Sequence, residues 1–321
     1  MAAGPKRLIL LVVLVALTGG LKASGYPTSP DAPVASGYPS LPDAPVAGDL
    51  QVSGNNRAPV TRIVSLVPAL TEMLFAMGAG PQVIAVSSYD DFPPEVKALP
   101  RVGALLDPDV ERILALRPGL VLTYGSQSGL EAQLARAGIH TFIYRHAGVA
   151  GILQTLSDLG AATGHAAEGD RKAREIQAQL DAVHARVRAY PRPRTLLVFG
   201  RQPQSLQQMY ASGGVGFLHD ILQIAGGANV FADVRQESVQ TSSETLLARA
   251  PDAIVEVRAT GLLGAADLPR ERNLWAALAS IPAVRNGRIH FLNGDHLVVP
   301  GPRVGLAAEA FARALHPEAF K

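Results

Sequence analysis

Cysteine is missing from all 321 residues. Its absence excludes disulfides, thiol catalysis and Cys-ligated zinc. It also excludes a lipid-modified cysteine at a mature N-terminus. A basic excess is missing too. The formal charge is +2, but Lys6, Arg7 and Lys22 stand in the first 23 residues with no acid among them. Without those three, 26 basic residues face 27 acidic ones, a net of −1, so nothing points to a nucleic-acid partner. Tryptophan is nearly absent, with Trp275 alone. The eight histidines, His140, His146, His165, His184, His219, His290, His296 and His316, form no close pair of the metal-binding kind on one helix face. No metal site is expected.

What the chain does have begins with an export signal. Lys6-Arg7 precedes an unbroken apolar run from Leu8 to Leu17, 10 residues long. That is short for a membrane span and right for a signal-peptide core, with cleavage expected after Ala23. An exported chain with no lipid anchor is expected to be a soluble periplasmic protein. Residues 24–58 form a linker. Ser24 to Ala35 reads SGYPTSPDAPVA and is followed at once by SGYPSLPDAPVA, a tandem repeat of 12 residues rich in Pro, Ser and Gly. Little in it can be buried, so it is expected to be extended and mobile.

The full chain of 321 residues is 48% hydrophobic, enough for a well-buried α/β fold. Its organising element is the stretch from Ala166 to Tyr190. Ala173, Ile176, Leu180, Val183 and Val187 step by three and four, a single apolar stripe on one long helix, with Pro191 and Pro193 closing it.

The sequences on either side repeat one plan. Glu111–Leu122 reads ERILALRPGLVL, and Glu244–Val255 reads ETLLARAPDAIV. Glu111 and Glu244 lie 133 residues apart, as do Pro118 and Pro251, and the strand-like openings at Arg62 and Thr195. Leu70–Gly78 and Leu218–Gly226 each read as a short helix ending on Gly. The order predicts two Rossmann-like α/β lobes, residues 59–165 and 191–321, joined by the helix 166–190, with a ligand cleft between them. In open α/β sheets ligands sit beyond the carboxyl ends of strands. That rule marks the loop SSYDDFPP, from Ser87 to Pro94, which follows the strand Val83–Val86.

Three motifs point elsewhere and fail on detail. Gly125–Gly129, GSQSG, has the frame of a nucleophile elbow with Gln127 where serine must stand, so a secreted hydrolase is disfavoured and no catalytic residue is assigned. Ser212–Gly216, SGGVG, could cradle an anion but lacks the lysine of a P-loop. It reads as part of a mobile segment from Met209 to Gly216. A receptor for zinc or manganese would need several converging His or carboxylate side chains. Glu111 and Glu244 each open a helix, where a carboxylate is favoured by about 0.3–1 kcal/mol.

SSYDDFPP, the two Glu segments and Ala225–Phe231, AGGANVF, together resemble the single-helix-hinge substrate-binding proteins of ABC importers. Within that group they look most like the vitamin B12 binders; haem and ferric-siderophore binders are the wider set. The resemblance spans about Val60 to His316. It implies two lobes on one rigid helix, a monomer with no catalytic activity and no cofactor of its own, and small motion on binding. It implies a corrinoid or haem ligand and an ABC permease homodimer as partner, whose arginines would meet Glu111 and Glu244. Tyr89 and Asp90 in the SSYDDFPP loop are expected ligand contacts, as are, by position, Leu106, Arg201, Tyr210 and His296. One departure keeps haem and siderophores as alternatives. The B12 binders stack tryptophan on their ligand near the start of the loop before the first Glu helix, and this chain has Gly103–Asp107, GALLD, there.

Overall fold

The structure is a computed structural model that describes residues 60–260 and 264–321. The expected signal peptide and repeat linker lie outside the described residues.

The first lobe is a four-stranded parallel sheet in the order β2-β1-β3-β4. Its elements are β1 (Ile63–Ser65), α1 (Pro68–Ala76), β2 (Val83–Val86), α2 (Val110–Ala115), β3 (Leu120–Tyr124), α3 (Ser128–Arg136), β4 (His140–Tyr144) and α4 (Val149–Thr163). α5 (Ala166–Val187) then links the lobes. It stops three residues short of the expected Tyr190, since Arg188–Tyr190 already form a turn ahead of Pro191.

The second lobe contains β5 (Arg194–Gly200), β6 (Met209–Ser212), α6 (Phe217–Ile224), β7 (Ala228–Asn229), β8 (Ser238–Thr241), α7 (Ser243–Arg249), β9 (Ala253–Arg258), α8 (Leu268–Leu274), α9 (Pro282–Arg285), β10 (Ile289–Asn293) and α10 (Val304–Leu315). Its sheet runs β10-β9-β5-β6-β8, with β7 also pairing β5. β6 and β8 are antiparallel. The stretch from Met209 therefore differs from the mobile segment expected of it, because its first four residues sit in ladder hydrogen bonds between β5 and β8. The SGGVG turn that follows is filled too. The N–H groups of Gly213 and Gly214 donate to the carbonyls of Glu237 and Val234, so these two amides are not free to cradle an anion.

Strand periodicity sorts the core. Ile63, Leu122, Leu197, Phe199, Val255 and Val257 face one shared core, which also takes Ile176, Leu180, Val183 and Val187 of α5. Their neighbours point the other way, Val64 and Val121 into a core private to the first lobe, Leu196, Val198 and Ile254 into one private to the second. The apolar stripe of α5 is thus buried in the same cluster as both sheets, which makes the link a packed strut. Gly160 of α4 and Gly169 of α5 sit where the two helices touch backbone to backbone. A Cβ on Gly169 would come within 2.6 Å of the Leu156 carbonyl oxygen, so only glycine fits.

The repeated plan extends to backbone conformation. α2 is capped by Asp109, whose side chain accepts from the Arg112 amide, and α7 by Ser242, which accepts from Thr245. Arg117 and Ala250, again 133 apart, both adopt the left-handed region, at φ 45° and 44°, just before the matched prolines.

Candidate functional site

β1 and β3 are neighbours whose onward connections leave to opposite sides of the sheet, and the crevice beyond their carboxyl ends opens between the lobes. It encloses about 910 Å³, counting the space open to solvent. From the first lobe, Tyr89, Phe92, Tyr124, Tyr144 and His146 line it. From the second come Ala259, Asp295, Val298, Val299, Pro300 and Arg303.

The SSYDDFPP loop is pinned from within. The Asp90 carboxylate accepts from the Ser87 amide at 2.9 Å and from its hydroxyl, while Arg101 donates to the carbonyls of Ser87 and Asp90 at 2.8 and 2.6 Å. Asp90 is 1% exposed, and burial pushes its carboxyl up to about 6. Turning Asp90 inward leaves Tyr89, Asp91 and Phe92 on the cleft wall. The Phe92–Pro93 bond is cis.

Polar contacts cross between the lobes at two separate places among the described residues. Arg303, just ahead of α10, donates to Glu72 of α1 through Nε at 2.8 Å and a terminal nitrogen at 2.6 Å. The same guanidinium lies 4.0 Å from the centroid of the Phe92 ring. Burial raises the Glu72 carboxyl, and the Arg303 hydrogen bond and charge oppose that rise. On another side Asp220 of α6 accepts from the Val149 amide at 2.8 Å. The residue preceding α4 is Gly148, which has no side chain to cap with, so the second lobe supplies the cap for a helix of the first.

The residues singled out from sequence separate. Tyr89 lies in the cleft wall. Asp90 does not; its carboxylate is a brace inside the loop. Arg201 requires the plainest correction. Its side chain has no exposure and lies in a buried ion network of the second lobe, with Nε 3.1 Å from Glu256 and a terminal nitrogen on Glu271. Arg258 and the Trp275 indole also donate to Glu256. A guanidinium so committed has no reach into a ligand site. Trp275 itself is core, with no exposed surface. Leu106 is 61% exposed, and neither it, Tyr210 nor His296 is among the residues lining the cleft. His296 is half-buried beside Asp295, which is the lining residue of that turn.

Sequence reasoning passed over Glu72, Phe92, Tyr124, Tyr144, His146 and Arg303. One signal was available: Tyr124 and Tyr144 are the last residues of β3 and β4 and stand directly opposite each other in the ladder. Glu72 and Arg303 are 231 residues apart and carry no local signal.

Gln127, at the centre of the elbow-like motif, is a brace. Its side chain accepts from the Tyr124 amide and donates to the Leu105 carbonyl. Among the described residues no three His, Cys, Asp or Glu side chains gather as a metal site requires, and no helix is long and apolar enough to cross a membrane.

A family model for periplasmic binding proteins matches residues 63–295. The chain belongs to the periplasmic binding protein family. The vitamin B12-binding protein of Salmonella typhimurium is 32% identical over 256 residues, covering 79% of this chain and 90% of the relative. The solved periplasmic vitamin B12 binding protein BtuF of Vibrio cholerae superposes with a TM-score of 0.68 at 25% identity, over 82% of this chain and 99% of that one. The periplasmic heme-binding protein RhuT from Roseiflexus sp. RS-1 superposes with a TM-score of 0.69 at 28% identity, over 81% of this chain and 99% of that one. This periplasmic binding protein therefore has both B12-binding and heme-binding kin, joined to it by the same two-lobed α/β fold.

Proposed function

We propose that the chain is the periplasmic substrate-binding protein of an ABC importer, that its cargo is cobalamin or a related corrinoid, and that it performs no chemistry on it. The observation that carries the choice of cargo is the charge of the cleft. Its wall holds three carboxylates, Glu72, Asp91 and Asp295, against one guanidinium, Arg303, and Arg303 is already bonded to Glu72. Haem brings two propionates, and the one guanidinium in the wall is already committed to Glu72. A corrinoid brings a broad ring edged with neutral carboxamides, which suits aromatic walls and a mildly acidic rim.

Haem is the second reading, favoured by the Tyr and His side chains in the wall, since either can serve as an axial ligand to iron. Titration of the purified protein with cyanocobalamin and with hemin decides between them. Saturable cyanocobalamin binding with weak or no hemin binding supports the corrinoid. Saturation by hemin alone reverses the assignment, and silence with both ligands removes the class.

Docking to the permease belongs to the same proposal. Glu111 and Glu244 are exposed on matched helices, and so are Leu114 and Leu247, again 133 apart. One acid and one apolar side chain per lobe, set on equivalent frames, suit a partner with two-fold symmetry such as a permease homodimer. The protein itself acts as a monomer in the periplasm.

A further inference from the structure

Two polar atoms in the cleft wall have nothing to bond. The Tyr144 hydroxyl and His146 Nε2 are buried without a hydrogen-bond partner among the described residues. Tyr144 ends β4, and His146 follows two residues later, so both side chains leave the chain on the same side. Their rings meet edge to face at 5.2 Å, and Tyr124 stacks on His146 at 6.0 Å. All three line the cleft. Buried polar groups are nearly always paired, and an exception facing a cleft marks a place where a water, an ion or a ligand can bond.

Charge narrows what that partner is. Burial lowers the His146 imidazole to about 4, so it stays neutral at neutral pH. Burial also raises the Tyr144 phenol, and Glu237 adds to the rise, so the hydroxyl keeps its proton. The wall thus presents an O–H that donates and a neutral imidazole whose two nitrogens divide into one donor and one acceptor. A primary carboxamide fits both, with a carbonyl oxygen to accept and an N–H to donate. A carboxylate could accept from both groups but would bring a charge beside acidic neighbours. A hydrocarbon edge would leave both atoms unpaired.

We propose that Tyr144 and His146 form a subsite that reads a peripheral carboxamide of the ligand. The assignment rests on the corrinoid reading above, because a corrinoid carries several such groups and haem carries none.

The test compares cyanocobalamin with its monocarboxylic acids, each having one peripheral carboxamide hydrolysed, by calorimetric titration of the wild type, Tyr144→Phe, His146→Gln and the double variant Tyr144→Phe/His146→Leu. Wild type rejects at least one of the acids by roughly tenfold or more, and the double variant loses that discrimination along with about tenfold in cyanocobalamin affinity. His146→Gln, which keeps a neutral donor and acceptor, retains most of both. Melting curves of the ligand-free proteins separate this from a structural role. Tyr144→Phe removes an unpaired hydroxyl, so its melting temperature holds or rises; a fall would assign the hydroxyl to the fold instead. Unchanged discrimination in the folded double variant overturns the subsite while leaving the corrinoid reading intact. A wild type that binds no corrinoid overturns both. Hemin binding whose absorption spectrum changes in His146→Gln makes the imidazole an iron ligand and overturns the subsite too.

Discussion

The two lobes share a frame and differ in what they do with it. β1, β3 and β4 of the first lobe correspond to β5, β9 and β10 of the second, down to the caps of α2 and α7 and the left-handed Arg117 and Ala250. At the strand ends the resemblance stops. The first lobe finishes β3 and β4 on Tyr124 and Tyr144 and offers five aromatic side chains, His146 included, to the cleft. The second finishes β9 on Arg258, which turns back to Glu256 and joins Arg201 and Glu271 in a buried ion network. It contributes aliphatic side chains, the Asp295 carboxylate and one reaching arginine to the cleft. The first lobe is built to meet a ligand's faces and edges. The second spends its charged groups on holding itself together and reaches across with Arg303.

That division can be broken in order of expected effect. The largest lies outside the cleft. Glu111→Ala combined with Glu244→Ala should abolish uptake through a reconstituted importer while leaving ligand affinity within about twofold, because surface charges away from the bound ligand carry little of its binding energy. A matching fall in affinity would remove both acids from the docking role.

Next is Arg201→Ala. It leaves Glu256 and Glu271 buried with less compensation, which costs about 3–5 kcal/mol of stability. Denaturant unfolding should show that loss, and the protein that remains folded should bind as wild type does. Weaker binding with unchanged stability would return Arg201 to the ligand site and erase the contrast between the lobes.

Arg303→Ala comes third. Its side chain is 18% exposed and Glu72 is 4% exposed, so its removal should cost about 2–3 kcal/mol of stability, below the fully buried case. Affinity should fall as well, because the cross-lobe contact and the packing on Phe92 go together. Stability lost with affinity intact would show that closure does not depend on this bridge.

The smallest effect is on pH dependence. Folding raises the Asp90 carboxyl from 3.8 to about 6. The folded state holds that proton more tightly, so its contribution is present below the unfolded value and is lost as pH rises through the folded one. Asp90→Asn should flatten the decline in melting temperature between about pH 4 and pH 6 relative to wild type. An unaltered profile would mean that Asp90 is not the group responsible.

Much of this was legible because it is local. Helix periodicity gave α5, and the matched Glu and Pro positions gave the two lobes, since each rests on residues within one turn or one strand. The cleft was half legible. Strand-end position marked Tyr89 and would have marked Tyr124 and Tyr144, but position alone does not say which way a side chain turns. Asp90 turns in to Ser87. Arg201 turns in to partners 55 and 70 residues further along. Nothing near Glu72 announces Arg303, and nothing near Gly148 announces that Asp220 will cap the helix after it. The partners of Arg201 are set by packing within the second lobe, and the cross-lobe contacts by how the lobes pack on α5, and no window of sequence contains either.

A crystal structure of the protein with cyanocobalamin tests the central claim most directly. The ring should lie between the lobes, against Tyr89, Phe92 and Tyr124, with one carboxamide at Tyr144 and His146 and with Arg303 still on Glu72. A ring seated on the second lobe alone, or outside the crevice beyond β1 and β3, would contradict it.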